Sequence, residues 1–286
     1  MHIPVLLKEA LELLNVTEQG MIADVTGGGG GHAGEILKKL GPEGKLLILD
    51  RDPEAVKRLS QKFSDPRVVV RQAKFSELLD ILREEKFPPL SGLLADLGVS
   101  SFQFDDPERG FSFQPGPLDM RMDLTEGDTA WDVIQMLNEK ELADLFFQLA
   151  EERHSRRLAR GVIAARKEKR LHTTGDLAAL AEKILGRHGK IHPATKMFQA
   201  LRMEVNNELG ELDSLLDALP QVLAPEGRAV FISFHSLEDR RVKQKFQALK
   251  REGWKWLTKK PVTAGLDEVG SNPRSRSAKL RGIENV

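Results

Sequence analysis

Cysteine is absent from this 286-residue chain. That excludes a disulfide scaffold, thiolate metal sites and every mechanism built on a cysteine nucleophile. Net charge is absent too: 43 Lys+Arg balance 43 Asp+Glu, so bulk charge selects neither a nucleic-acid binder nor its opposite. No apolar run approaches the ~18–20 residues of a membrane helix. The opening MHIPVLLKEALELL lacks the basic start and cleavage site of a secretory signal, so a cytoplasmic location is the expectation. The seven histidines are scattered, with no His-x-x-x-His pair on a helix, and no metal site is expected. What remains is a globular composition, 40% hydrophobic and 30% charged, long enough for one large domain or two ordinary ones.

Four short apolar runs come early, at 21–26 (MIADVT), 45–50 (KLLILD), 67–71 (RVVVR) and 91–97 (SGLLADL). Near-continuous apolarity bounded by turn residues predicts strands buried on both faces. Helical patterns at 33–40, 53–63 and 76–85 separate them, and this alternation predicts a parallel, doubly wound α/β sheet. From about 103 to 208 no comparable strand follows. Leu142, Leu145, Phe146 and Leu149 repeat at helical spacing, as do Leu177, Leu180, Ala181 and Ile184 behind Thr174, a candidate N-cap. Phe198, Leu201, Val205, Leu209 and Leu212 mark one further helix, with Pro193 near its first turn. A strand returns at 228–233 (RAVFIS) and a helix at 236–251. The pattern predicts an α/β domain, 1–107 with 209–286, interrupted by a helical insertion at 108–208.

The charge is balanced in sum but segregated along the chain. Residues 105–152 hold 13 acidic and 3 basic residues, whereas 153–170 hold 8 basic and 1 acidic. Residues 238–281 hold 13 basic and 5 acidic. Basic clusters of this kind are a footprint for polyanions, here RNA, or else solvated helix faces.

The strongest local signal is Gly27–Gly31, five consecutive glycines between the first strand and the first helix, followed by His32. Backbone without Cβ atoms can approach a ligand closely, and the helix N-terminus offers free N–H groups. Gly29-x-Gly31-x-x-Gly34 also matches the dinucleotide fingerprint, a weak match within a glycine run. Asp50 ends the second strand about 20 residues on, where a carboxylate suits ribose hydroxyls. Asp96 stands late in the fourth strand and Phe75 follows the third, so all three fall on the carboxyl edge of the sheet. Capping is the competing role for Asp50, although Asp52 already stands at a cap position. Phe75 alone would also suit the core. NAD and S-adenosylmethionine both fit such a site.

The segments Asp96-Leu-Gly-Val-Ser-Ser-Phe-Gln103, Arg109-Gly-Phe-Ser-Phe113 and Gly116-Pro-Leu-Asp-Met-Arg-Met-Asp123 resemble the bacterial 16S ribosomal RNA (cytosine-N4) methyltransferases of the RsmH or MraW type. So do His2-Ile-Pro-Val-Leu-Leu7, Pro193-Ala-Thr-Lys-Met-Phe-Gln-Ala-Leu-Arg202, Ser233-Phe-His-Ser-Leu-Glu-Asp-Arg240 and Asn272-Pro-Arg-Ser-Arg-Ser-Ala-Lys-Leu-Arg281. The resemblance spans the chain. It implies a class I methyltransferase fold, a Rossmann-like doubly wound sheet carrying an inserted all-helical domain for RNA recognition. It implies methyl transfer from S-adenosyl-L-methionine to N4 of a decoding-centre cytosine in 16S rRNA, within the small ribosomal subunit. The cofactor contacts it implies are Gly30, Gly31, His32, Asp50, Phe75, Asp96 and Gln103; His32 and Gln103 rest on the resemblance alone. It leaves a homodimer open. The chain departs from the family at Ala33, His192 and Lys196, where Ser, Asn and Arg are commoner.

Methyl transfer to an amine is an in-line displacement, with the reacting atoms about 3–3.5 Å apart. Methylation at pyrimidine C5 needs a thiolate and is excluded here by composition. Attack by N4 needs a nearby acceptor for its hydrogens. The Asp/Asn-Pro-Pro-aromatic turn of many amine methyltransferases is missing after the fourth strand, leaving Asp96 or the backbone carbonyls behind it as acceptor, with His235 nearby. His235 has a buried, helix-start reading as well, and Ser236-x-x-Asp239 fits a capping box. Phe102/Phe104, Phe111/Phe113 and Trp254/Trp256 could stack unpaired bases or fill cores. Arg109, Arg202 and Arg240 are candidate RNA contacts, and Arg274, Arg276, Lys279 and Arg281 read as a phosphate-binding tail. An NAD-dependent oxidoreductase and a non-catalytic RNA-binding assembly factor are the competing functions.

Overall fold

A computed structural model describes residues 4–187, 189 and 191–286; His2 and Ile3 of the N-terminal motif lie outside them. The chain forms two compact units, residues 4–98 with 209–286, and Val99–Glu208. The first junction falls after Gly98 rather than at 107–108. Val99 already packs against the core of the second unit, so the insertion begins almost where the fourth strand ends.

The first unit opens with α1 (Leu7–Leu14), then β1 (Met21–Asp24), α2 (Gly31–Lys39), β2 (Lys45–Asp50), α3 (Pro53–Lys62), β3 (Val68–Gln72), α4 (Leu78–Glu84) and β4 (Leu90–Asp96). The apolar runs form strands for the reason their sequence suggests. Leu46, Leu47, Ile48 and Leu49 of β2 are all fully buried, each burial stabilising the fold by about 1.5–3 kcal/mol. Alternate residues face opposite layers. Ala23, Leu47, Leu49, Leu93 and Ala95 join one core, whereas Ile22, Leu46, Ile48 and Leu94 join the other.

The second unit contains α5 (Ser101–Asp105), α6 (Ala130–Met136), α7 (Glu139–Ala150), α8 (Ser155–Lys167), α9 (Thr174–Leu185) and α10 (Thr195–Val205) around one core that includes Phe146, Leu158, Val162, Leu177 and Leu201. No strand occurs among its described residues. The N-cap of α9 is Thr173, not Thr174; Thr173 closes a capping box with Asp176. Thr174 is fully buried and donates its hydroxyl to Gln114 O at 2.5 Å. The helix read through 198–212 breaks at Asn206. The Asn206 side chain accepts from Met122 N–H and donates to Met120 O, each at 2.7 Å, and Asn207 adopts φ +47°. Apolar periodicity continues across the break, which is why the sequence reads as a single helix.

The chain returns to the first unit through α11 (Glu208–Val222), followed by β5 (Leu223–Ser233), α12 (Ser236–Arg251), β6 (Lys255–Trp256), α13 (Leu266–Ser271) and β7 (Lys279–Glu284). The seven strands lie in the order β3-β2-β1-β4-β5-β7-β6. The first five are parallel, and β7 runs antiparallel between β5 and β6. The basic C-terminal segment is therefore not a tail. Arg281 sits inside the sheet, 5% exposed, with its guanidinium on Asp239 at 2.7 Å, and Lys279 reaches the same carboxylate at 3.2 Å.

Candidate active site

The parallel strands deliver three carboxylates to one edge of the sheet: Asp24 at the end of β1, Asp50 at the end of β2 and Asp96 at the end of β4. Thr26 ties two of them, Asp24 and Asp96 on the neighbouring strands β1 and β4, together. Its hydroxyl accepts from the Asp96 N–H at 2.7 Å and lies 3.3 Å from Asp24 Oδ1, which also accepts from the Thr26 N–H at 3.1 Å. Asp50 takes the Gly28 N–H at 2.7 Å on one oxygen and the Asp52 N–H at 2.9 Å on the other. Asp52 caps α3 through the Glu54 N–H, so Asp50 is not the helix cap.

The glycine loop closes over these ends. Gly30 adopts φ +68°, and a Cβ there would stand 2.7 Å from the Phe63 ring. A Cβ on Gly31 would stand 2.4 Å from Pro4. Glycine at both positions is thus demanded by backbone shape and packing. Lys62 fixes the loop from α3, donating to the carbonyls of Gly29 and Gly30 at 2.8 and 2.9 Å. His32, in the first turn of α2, is buried. Its Nε2 donates to Val5 O at 3.1 Å, which turns Nδ1 towards Asp96 Oδ2, 3.7 Å away.

Burial raises the pKa of all three acids. Asp24 rises to about 6, chiefly by desolvation and further by the charge of Asp50. Asp50 also rises to about 6, chiefly by desolvation, with Asp52 adding to the effect. Asp96 is held well above the ordinary carboxylate range by burial and by the charges of Asp24 and Glu238. Its Oδ1 is sealed from solvent and has no hydrogen-bond partner, although the side chain as a whole keeps 21% exposure.

Such a site suits a cation. A sulfonium and an ammonium group would relieve the mutual repulsion of three carboxylates crowded at one strand edge, and Asp50 suits a ribose diol. A dinucleotide would bring a doubly charged pyrophosphate to the glycine loop beside Asp24 and meet repulsion there. The residues therefore fit S-adenosyl-L-methionine and disfavour NAD.

The remaining sequence candidates divide. Phe75 is half-buried, opening the 3₁₀ turn Phe75–Glu77 after β3. Gln103, on α5, is buried and forms a capping box with Ser100, its Oε1 accepting the Ser100 N–H at 2.9 Å. His235 is the N-cap of α12, pairing with Glu238 in a capping box one residue earlier than Ser236-x-x-Asp239. Its Nδ1 accepts the Glu238 N–H at 3.4 Å, and Glu238 Oε2 accepts the Phe234 N–H at 2.8 Å. His235 thus shapes the helix start, and Asp239 holds β7 instead. Arg109 is buried and donates to Met122 O at 2.7 Å, and Arg202 forms a two-pronged ion pair with Glu208 at 2.6 and 2.8 Å. With Arg281 they serve the fold, because carbonyls and carboxylates inside their own unit already hold them. Arg240, Arg274 and Arg276 are exposed. Sequence pattern does not mark Thr26 or Lys62. Asp24 carries the same signal as Asp50 and Asp96, an acid ending an apolar strand.

The strand order, the glycine turn after β1 and the acid ending β2 define a class I methyltransferase. A crystal structure from Clostridium thermocellum described as a candidate rRNA-methylase shares the fold, with a TM-score of 0.50 at 10% identity over 100% of both chains. The MraW methylase family model matches residues 1–286, and the chain belongs to that family. Its cofactor is S-adenosyl-L-methionine. Relatives named ribosomal RNA small subunit methyltransferase H include one from Acidobacterium capsulatum, 46% identical over 99% of this chain and 98% of that protein. Another, from Sorangium cellulosum, is 47% identical over 100% of this chain and 91% of that protein. Among the described residues, no helix is long and apolar enough to cross a membrane.

Proposed function

We propose that the chain methylates small-subunit 16S ribosomal RNA, and more finely that it methylates N4 of a decoding-centre cytosine, in the cytoplasm. The substrate class follows the names of its relatives. The observation that carries the choice of an amine is Asp96, a carboxyl at the strand edge whose side chain keeps 21% exposure while burial and nearby charge hold its pKa above the ordinary carboxylate range. S-adenosyl-L-methionine supplies an electrophilic methyl group. Asp50 holds the ribose hydroxyls, and the glycine loop, braced by Lys62, leaves backbone open to the ligand. Asp96 accepts a hydrogen bond from N4, which frees the nitrogen lone pair from the ring, and it then takes the proton the amine releases. A cationic ligand lowers the pKa of Asp96 towards the ionised form that this step requires. His32 faces Asp96 Oδ2 with Nδ1 at 3.7 Å. The helical insertion serves RNA recognition, with Phe102 and Phe104 exposed on α5 as candidate stacking surfaces. Phe111 and Trp254 are core residues, and Phe113 stacks on His192 at 4.5 Å.

Purified small subunits, labelled S-adenosyl-L-methionine and nucleoside mass spectrometry test the proposal. N4-methylcytidine is the expected product. Label on another atom overturns the N4 assignment. Tight cofactor binding without incorporation on subunits or bare RNA makes the chain a binding factor, and binding of NAD in place of S-adenosyl-L-methionine makes it an oxidoreductase.

A further inference from the structure

Three of the arginines that the sequence marks for RNA, Arg109, Arg202 and Arg281, are already bonded inside the fold; Arg240, Arg274 and Arg276 stay exposed, and a longer row of exposed cations lies elsewhere. Helix α8 supplies it. One face of it, including Leu158, Val162 and Ile163, is buried in the core of its unit. The opposite face carries Arg156, Arg157, Arg160 and Lys167, with Arg153 just ahead of the helix, and all five are exposed. The side chains of Arg153, Arg156 and Arg157 have no hydrogen bond or ion pair with any described residue. Arg160 lies 3.4 Å from Glu139, but that pair is 77% and 47% exposed and is weak in water.

This row opposes its own helix. Arg156 and Arg160 are like charges one turn apart, and arginines at the amino end face the positive pole of the helix. The buried face holds the helix in place in spite of them. Arginine forks match phosphate oxygens in pairs, and from Arg153 to Lys167 the row spans about 21 Å at 1.5 Å per residue. We propose that the exposed arginine face of α8 is the surface on which the RNA backbone of the substrate docks, contacting phosphates and not base edges. The identity of the polyanion rests on the proposed function.

The test compares the full chain with the combined variant Arg153→Gln, Arg156→Gln and Arg157→Gln. Affinity for 16S RNA is measured across salt concentrations, beside S-adenosyl-L-methionine affinity and melting temperature. Losing three phosphate contacts lowers the slope of log affinity against log salt by about 2, and weakens binding at 0.1 M salt by roughly 100-fold. Cofactor affinity stays as in the parent, and melting does not fall, because the charges removed oppose the helix. Lysine at the same three positions restores most of the slope, because charge is kept. An unchanged slope in the glutamine variant overturns the proposal, as does a parent chain with no measurable RNA affinity. If the glutamine variant loses self-association in sedimentation while its RNA slope is unchanged, the face is a contact between protein copies and the proposal falls. A parent chain that shows the RNA slope but methylates no subunit sinks the proposed function and leaves the docking surface standing.

Discussion

Replacing Asp96 by Asn should separate stability from turnover. In the cofactor-free protein the Asp96 carboxyl has one sealed, unbonded oxygen and faces the charges of Asp24 and Glu238. The folded chain therefore holds a proton there that the unfolded chain releases near 3.8, its ordinary value. As pH rises above that value the unfolded state binds fewer protons than the folded one, and stability falls. Asparagine has nearly the same shape and cannot ionise. It keeps an acceptor oxygen and turns an amide N–H towards His32 Nδ1. The new amide N–H to the His32 ring contributes about 0.5–1.5 kcal/mol, or roughly 1–3 °C for a chain of this length. Turnover should drop about 10²–10⁴-fold, the range for losing a positioned proton acceptor. Calorimetric melting of cofactor-free protein at pH 6 and pH 8, with single-turnover methylation at saturating cofactor, reads both effects. A variant that melts with the parent at both pH values and keeps full turnover would refute the reasoning.

Asp24 and Asp50, each raised from 3.8 to about 6, give a further signature. Between roughly pH 4 and 6 the cofactor-free protein should lose up to about 3 kcal/mol for each, and the curve should flatten above that window; denaturation midpoints that climb from pH 4.5 to 7 would contradict this. Arg281→Ala breaks a buried pair with Asp239 and should cost about 3 kcal/mol, with the salt dependence of RNA binding unchanged; a weakened slope would return Arg281 to the RNA surface. Asn206→Ala removes the partners of the Met122 N–H and the Met120 carbonyl and should cost about 2–4 kcal/mol, with faster hydrogen exchange at Met122. Parent-like protection there would show that the clamp is dispensable.

The parallel half of the sheet was legible because strands buried on both faces leave unbroken apolar runs such as KLLILD, and because the ends of such strands fall on the ligand edge. Asp50 and Asp96 could be placed by that rule alone, and the same rule applied to β1 reaches Asp24. The antiparallel strand β7 was not legible. Lys279 and Arg281 read as solvated until Asp239, on α12, neutralises both, and a pairing between residues about 40 apart leaves no local trace. The partners of Arg109 and Arg202 were not legible either, although they lie nearer in the chain, whereas the helix-start role of His235 was among the readings the sequence offered. An arginine bound to a carbonyl and one awaiting a phosphate are written with the same letter. The start of α12 at Ser236 was read correctly, but its capping box was displaced by one residue because a histidine ring nitrogen takes the acceptor role that serine usually fills at a cap.

Strands β4 and β5 are neighbours in the sheet, with Leu94 opposite Val230, yet the whole insertion separates them in the chain. Beyond them, β5 completes its pairing only with β7, whose last residue is Glu284. During synthesis, Val99–Glu208 can gather around its own core as soon as it emerges, while β4, already paired with β1 on one side, waits for β5 on the other. The final strand closes the nascent sheet from the inside, not at its rim. A ribosome stalled a dozen residues before Glu284 would present β5 with one unpaired edge, open to the wrong neighbour.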